Sequence, residues 1–104
     1  MNAVFDALSH PIRREVLQLL KRGGMSAGEL ASHFAVSKPT MSGHFAKLKA
    51  AGLIRGENKG GTITYTLSMS TLEEAVMGFM GRMGVATHDE GGPETQGAAE
   101  GEAT

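Results

Sequence analysis

The chain predicts a mainly α domain with one small β-hairpin (α+β): four helices, two strands and a closing helix, in that order. Three observations carry this. Apolar residues recur at helical steps through most of residues 2–51. The stretch LIRGENKGGTITYTLS then changes period, with Ile63, Tyr65 and Leu67 alternating with Thr62, Thr64 and Thr66. Helical spacing returns after Ser70.

Each element has a local cause. Val4, Phe5, Leu8, Ile12, Val16, Leu17 and Leu20 form a helical stripe that Ser9-His10-Pro11 interrupts. A proline suits a first helical turn, so the stripe divides into helices at 2–8 and 11–21, with Ser9 or His10 capping the second. Arg22-Gly23-Gly24 ends it. Ser26 and Glu29 make a capping box for a third helix over 27–34, with Met25 and Leu30 placed as a hydrophobic staple. Ala35-Val36-Ser37 is a tight connection, Ser37 a cap and Pro39 a first-turn residue for a fourth helix that runs to Ala51 and stops at Gly52. Two short helices so joined form a helix-turn-helix pattern. Leu53–Arg55 and 62–67 read as a hairpin around the turn residues Asn58-Lys59-Gly60-Gly61. Ser70 and Glu73 make a second capping box for a last helix over 71–84, whose apolar residues cover more than one narrow stripe.

The composition bounds the function. The 104 residues hold no cysteine, which excludes disulfides, thiolate metal sites and a cysteine nucleophile. No apolar run reaches the ~20 residues that span a bilayer, and the start of the chain lacks a secretory pattern. A cytoplasmic protein without direct membrane insertion is the expectation. Residues 88–104 hold five acids, no Lys or Arg and no Leu, Ile, Val, Phe or Met, the composition of a disordered acidic tail. Residues 1–87 are the expected folded domain and carry ten bases against six acids, a net charge of +4.

The fourth helix poses the functional question. With Met41, Phe45 and Leu48 facing a core, its outer half holds Pro39, Thr40, Ser42, Gly43, Ala46, Lys47 and Ala50, nearly all small. From Leu30 to Gly56 there is no Asp or Glu, while Lys38, Lys47, Lys49 and Arg55 fall in that span. Small side chains let a helix sink into a DNA major groove, and hydroxyls can reach base edges there. Flanking lysines neutralise phosphates and release counterions. The N–H groups at the helix start can also receive a phosphate. Gly43 costs roughly 1 kcal/mol of helix propensity relative to alanine, which marks a close approach, to DNA or to a neighbouring helix.

ALSHPIRREVLQLL, MSAGELASHFAVSKPTMSGHFAKLKAAGLI and NKGGTITYTLS together resemble the ArsR/SmtB family of bacterial winged-helix repressors, in particular its metal-independent autorepressor branch. The resemblance covers residues 1–84. It implies a winged helix-turn-helix and a homodimer that binds an inverted-repeat operator in double-stranded DNA and represses transcription, its own gene included. It implies DNA contacts from Ser37, Lys38, Thr40, Ser42, Gly43 and His44, a phosphate contact from Lys47, and wing contacts from Arg55, Asn58 and Lys59. His44 has a second reading, as partner of a neighbouring backbone carbonyl. The dimer would join through the first and last helices, where Val4, Phe5, Leu8, Leu72, Val76, Phe79, Met80 and Met83 lie. Gly43 and His10 depart from the family pattern, which often has a histidine or another polar residue at the first position and an aspartate at the second.

No catalytic constellation, cofactor motif or metal site is expected. The family's thiolate motif would need a cysteine near Ala31, and the last helix has no histidine before His88. His88, Asp89 and Glu90 are adjacent residues in the acidic tail, a poor tetrahedral set. Met69, Met77, Met80 and Met83 suit a core or a subunit interface better than a soft-metal site. Two alternatives stay open: a repressor of this fold released by a metal, a small ligand or an antirepressor protein, and a winged helix used only for protein contacts.

Overall fold

The structure, a computed structural model, describes residues 2–84. The expected domain end at residue 87, the acidic stretch 88–104 and the His88, Asp89 and Glu90 group lie outside the described residues. The elements are α1 (Asn2–Leu8), α2 (Pro11–Leu20), β1 (Met25–Ser26), α3 (Ala27–Ala31), α4 (Lys38–Ala50), β2 (Ile54–Lys59), β3 (Thr62–Leu67) and α5 (Met69–Arg82). By compactness the chain divides after Leu72. The first unit holds the helix-turn-helix and the sheet; α5 runs on into the second.

Local chemistry sets the helix starts. His10 caps α2, its Nδ1 accepting from the Ile12 N–H at 3.1 Å, and Pro11 is the first helical residue. The box at α3 closes both ways: Glu29 N–H donates to Ser26 Oγ at 3.0 Å, and Ser26 N–H to Glu29 Oε1 at 2.8 Å. α3 is shorter than its spacing suggested. After Ala31 the backbone tightens to i→i+3 bonds, His33 N–H to Leu30 O and Phe34 N–H to Ala31 O. The link to α4 is therefore Ser32–Ser37 rather than three residues.

The sheet has three strands in the order β1-β3-β2, not a hairpin alone. Met25 pairs with Tyr65 and Ser26 with Thr64, and a two-residue strand has no period to read. β2 is also longer than expected. Gly60 and Gly61 have φ of 60° and 88°, the positive values of a two-residue hairpin turn whose twist matches the strands. Pairing therefore persists to Lys59 opposite Thr62. At Gly56 a Cβ would lie 3.0 Å from Tyr65 Cε1, so the tyrosine ring claims the space a side chain would need.

The core of the first unit is Val16, Leu30, Met41, Leu48 and Leu53, with Leu17, Leu20, Phe45, Ile54 and Tyr65 around them. The Phe45 and Tyr65 ring centroids are 4.8 Å apart and join α4 to the sheet. Val4 is buried among the described residues, which makes it core rather than a free subunit-contact residue. α5 begins at Met69, before the expected Ser70–Glu73 box; Ser70 is already inside the helix, and Ser68 Oγ instead bonds Thr71 Oγ1 at 3.0 Å.

Candidate nucleic-acid interface

α4 presents the face read from the sequence. Ser37 is its N-cap, accepting from the Thr40 N–H at 3.2 Å. Lys38, Pro39, Thr40, Ser42, Gly43, Ala46 and Lys47 are all exposed. Met41, Phe45 and Leu48 point inward as expected. Ser37 Oγ also donates to Thr40 Oγ1 at 2.9 Å. One acceptor site of the threonine hydroxyl is thus used, and its proton is left to donate.

The helix start is less open to a phosphate than expected. Thr40 N–H is taken by Ser37 Oγ, and Pro39 has no N–H. The free donors of an anion-binding helix start are mostly spent.

A Cβ at Gly43 would meet nothing within 4 Å. No neighbouring helix of the described chain explains this glycine. Gly43→Ala is expected to stabilise the free protein by about 0.4–1 kcal/mol and to weaken DNA binding, because the added methyl would stand on the exposed face of α4. A melting curve and a DNA titration on the same variant check both signs; a variant that binds DNA as well as the parent removes the close-approach reading.

Lys47 is not free. Its Nζ lies 2.9 Å from Asp6 Oδ2 on α1, with both side chains more than half exposed. The hydrogen bond and charge of Lys47 hold the Asp6 carboxyl below the ordinary carboxylate range. Solvent screens such a pair, so a phosphate can replace the carboxylate. On the wing, Arg55 is exposed on β2, and Lys59 Nζ lies 3.5 Å from Glu57 Oε1. Asn58 Oδ1 accepts from the Gly61 N–H at 3.0 Å, so this oxygen serves the hairpin turn.

His44 is the main correction. It is not on the groove face: it is 7 % exposed. Its Nδ1 lies 3.1 Å from Nη1 of Arg13, and its ring centroid 4.5 Å from that of His10. Among the described residues neither ring nitrogen bonds a backbone carbonyl, and burial holds the ring off the exposed face of α4. Sequence reasoning missed Arg13, although the signal was there. Arg13, Val16, Leu17 and Leu20 are the buried residues of α2, and they stand at one-face helical spacing. An arginine on an apolar stripe announces a buried guanidinium.

Of the residues expected to join subunits, Phe5 and Leu8 are half-buried on α1, and Leu8, Leu67, Met69 and Leu72 line an open apolar hollow. On α5, Val76, Met77, Phe79 and Met83 are exposed and Met80 is half-buried. Among the described residues, no group of three or more His, Asp or Glu is placed to hold a metal ion.

A short helix, a turn and an exposed acid-free helix beside a β-hairpin define a winged-helix DNA-binding transcriptional regulator, and residues 8–57 match the helix-turn-helix domain family. The chain is 46% identical over 76 residues to the transcriptional repressor SdpR of Bacillus subtilis (strain 168), covering 73% of this chain and 84% of that protein. It is 33% identical over 73 residues to the arsenical resistance operon repressor of Staphylococcus xylosus, 70% of each chain. The crystal structure of an ArsR family transcriptional regulator superposes with a TM-score of 0.73 at 31% identity, covering 80% of this chain and 84% of that one. The protein belongs to the ArsR/SmtB family of winged-helix transcriptional repressors. The family consists of regulators, not enzymes.

Proposed function

We propose that the protein acts in the cytoplasm as a homodimer on an inverted-repeat operator and controls its own gene. One observation supports this above the rest: α4 offers an exposed face of small residues, with Thr40, Ser42, Gly43 and Ala46 on it and Lys38 and Lys47 at its rims. Ser37, Lys38, Thr40 and Ser42 read or border the major groove, Lys47 holds a phosphate, and Arg55 and Lys59 on the wing follow the backbone. His44 drops out of this set, and Asn58 shapes the wing tip. The exposed apolar residues of α5, with Phe5, Leu8 and Leu72, form the subunit contact. Two-fold symmetry would set the two reading helices about 34 Å apart, one turn of DNA.

Fluorescence anisotropy over a salt series tests this reading, with the duplex upstream of the protein's own gene against a scrambled duplex. Selective binding with a steep salt slope is the expected result. No binding to either duplex at low salt sinks it. In the same titration Lys47→Ala weakens binding to both duplexes and lowers the salt slope by about one. An unchanged slope removes Lys47 from the phosphate contacts.

A further inference from the structure

Behind the reading face lies a cluster that DNA contact does not use. Arg13 is 8 % exposed. Its Nε donates to Ala7 O at 2.7 Å, its Nη2 to Asp6 O at 3.1 Å, and its Nη1 faces His44 Nδ1 at 3.1 Å. The guanidinium is permanently charged and bonds the last carbonyls of α1, where the helix dipole is negative. It thereby ties α1 and α2 to α4 through one imidazole. Arginine has no acceptor, so His44 Nδ1 must be the unprotonated atom in this bond. The proton of the neutral ring then sits on Nε2, which is buried without a partner among the described residues. His10 also uses its Nδ1 as an acceptor.

The charges around this cluster offer little relief to a second cation. From α1, the Asp6 carboxylate is exposed and held by Lys47. From α2 come His10 and Arg13; Arg14 is exposed and donates to Leu8 O at 2.7 Å. On α3, the carboxylate of Glu29 caps its own helix. On β2, Arg55, Glu57 and Lys59 are all exposed. On α4 itself the remaining ionisable groups are exposed lysines.

We infer that Arg13 and His44 are positioning residues that clamp the reading helix in place, and that protonation of His44 opens the clamp and weakens DNA binding. A proton on Nδ1 destroys the acceptor and points a positive ring at the guanidinium 3.1 Å away. The Nη1 bond of Arg13 is then lost and two cations face each other, which loosens the tie from α1 and α2 to α4. This is the opposite of the behaviour of a histidine at a phosphate, which tightens DNA binding in acid. Burial first, then the charges of His10 and Arg13, hold the His44 pKa below the ordinary histidine range. The unfolded chain therefore takes the proton first. Stability from this site is complete above about pH 6.5 and is lost as pH falls from there through the lowered folded value.

The DNA half of this inference rests on the proposed function; the clamp itself does not. Long-range nitrogen–proton NMR of the wild-type imidazoles reads the tautomer directly. An Nε2–H His44 that titrates below the ordinary range supports the clamp; an Nδ1–H ring, or titration at or above that range, overturns it. The paired test uses His44→Asn, whose Oδ1 replaces the Nδ1 acceptor without titrating. Melting curves and binding to a random-sequence duplex at low salt are compared from pH 8 to pH 5. Wild type should lose melting temperature more steeply than His44→Asn. It should also lose affinity relative to the variant by up to about tenfold per pH unit once the folded ring titrates. Parallel pH profiles for the two proteins overturn the proposal. Absence of duplex binding at pH 8 overturns the function and not the clamp, which the tautomer and the melts decide alone.

Discussion

Ala46→Glu is expected to weaken DNA binding about 100-fold or more while leaving the fold intact. Ala46 is exposed at the middle of the α4 outer face, and glutamate is a good helix former. The free protein should therefore melt as the parent does. On DNA, the new carboxylate meets the phosphate field at close range. Like-charge contacts in an interface cost several kcal/mol, so the affinity should fall about 100-fold or more on any duplex. Ala46→Gln is the control, with nearly the same shape and no charge, and should lose far less. Anisotropy at low salt reads both variants. A glutamate variant within threefold of wild type would show that this face does not meet DNA.

Leu48→Ala is expected to have the largest effect on stability. Leu48 is fully buried under α4, and such truncations cost about 2–5 kcal/mol. Domains hold roughly 5–15 kcal/mol in total, and one of this size sits toward the lower end. At about 4–8 °C per kcal/mol for small domains, the melting temperature should fall by roughly 10 °C or more. Circular dichroism checks this, and DNA binding should survive at low temperature because no groove residue changes. A fall below about 4 °C would mean that the site collapses around the lost side chain and that Leu48 is not the seat of α4.

What could be read before any coordinates was local. The Ser26–Glu29 box spans four residues, and both of its bonds form. The inward side of α4 followed from spacing alone, and so did the exposure of Thr40, Ser42, Gly43 and Ala46. Motifs were enough for the family, because the helix-turn-helix and wing residues are contiguous. The failures depended on distant partners. Met25–Ser26 becomes a strand only because β3, some forty positions on, offers an edge. His44 sits beside the core stripe on a helical wheel, where spacing does not settle its side. Arg13, 31 residues earlier, draws it inward. The Lys47–Asp6 pair spans 41 positions and had no local signature.

The sheet ends on β2, an edge strand with one neighbour. Open edges are templates for further strands, and proteins guard them with charges, turns and short lengths. Of its six residues, β2 has Arg55, Glu57 and Lys59 on one face and a glycine on the other, and it ends in a two-glycine turn. A second β2 meeting this edge antiparallel about Glu57 would set Glu57 against Glu57 and Arg55 against Lys59. These charged side chains thus act as a solubility device: the wing edge can stay unpaired in water without recruiting its neighbours into a fibre.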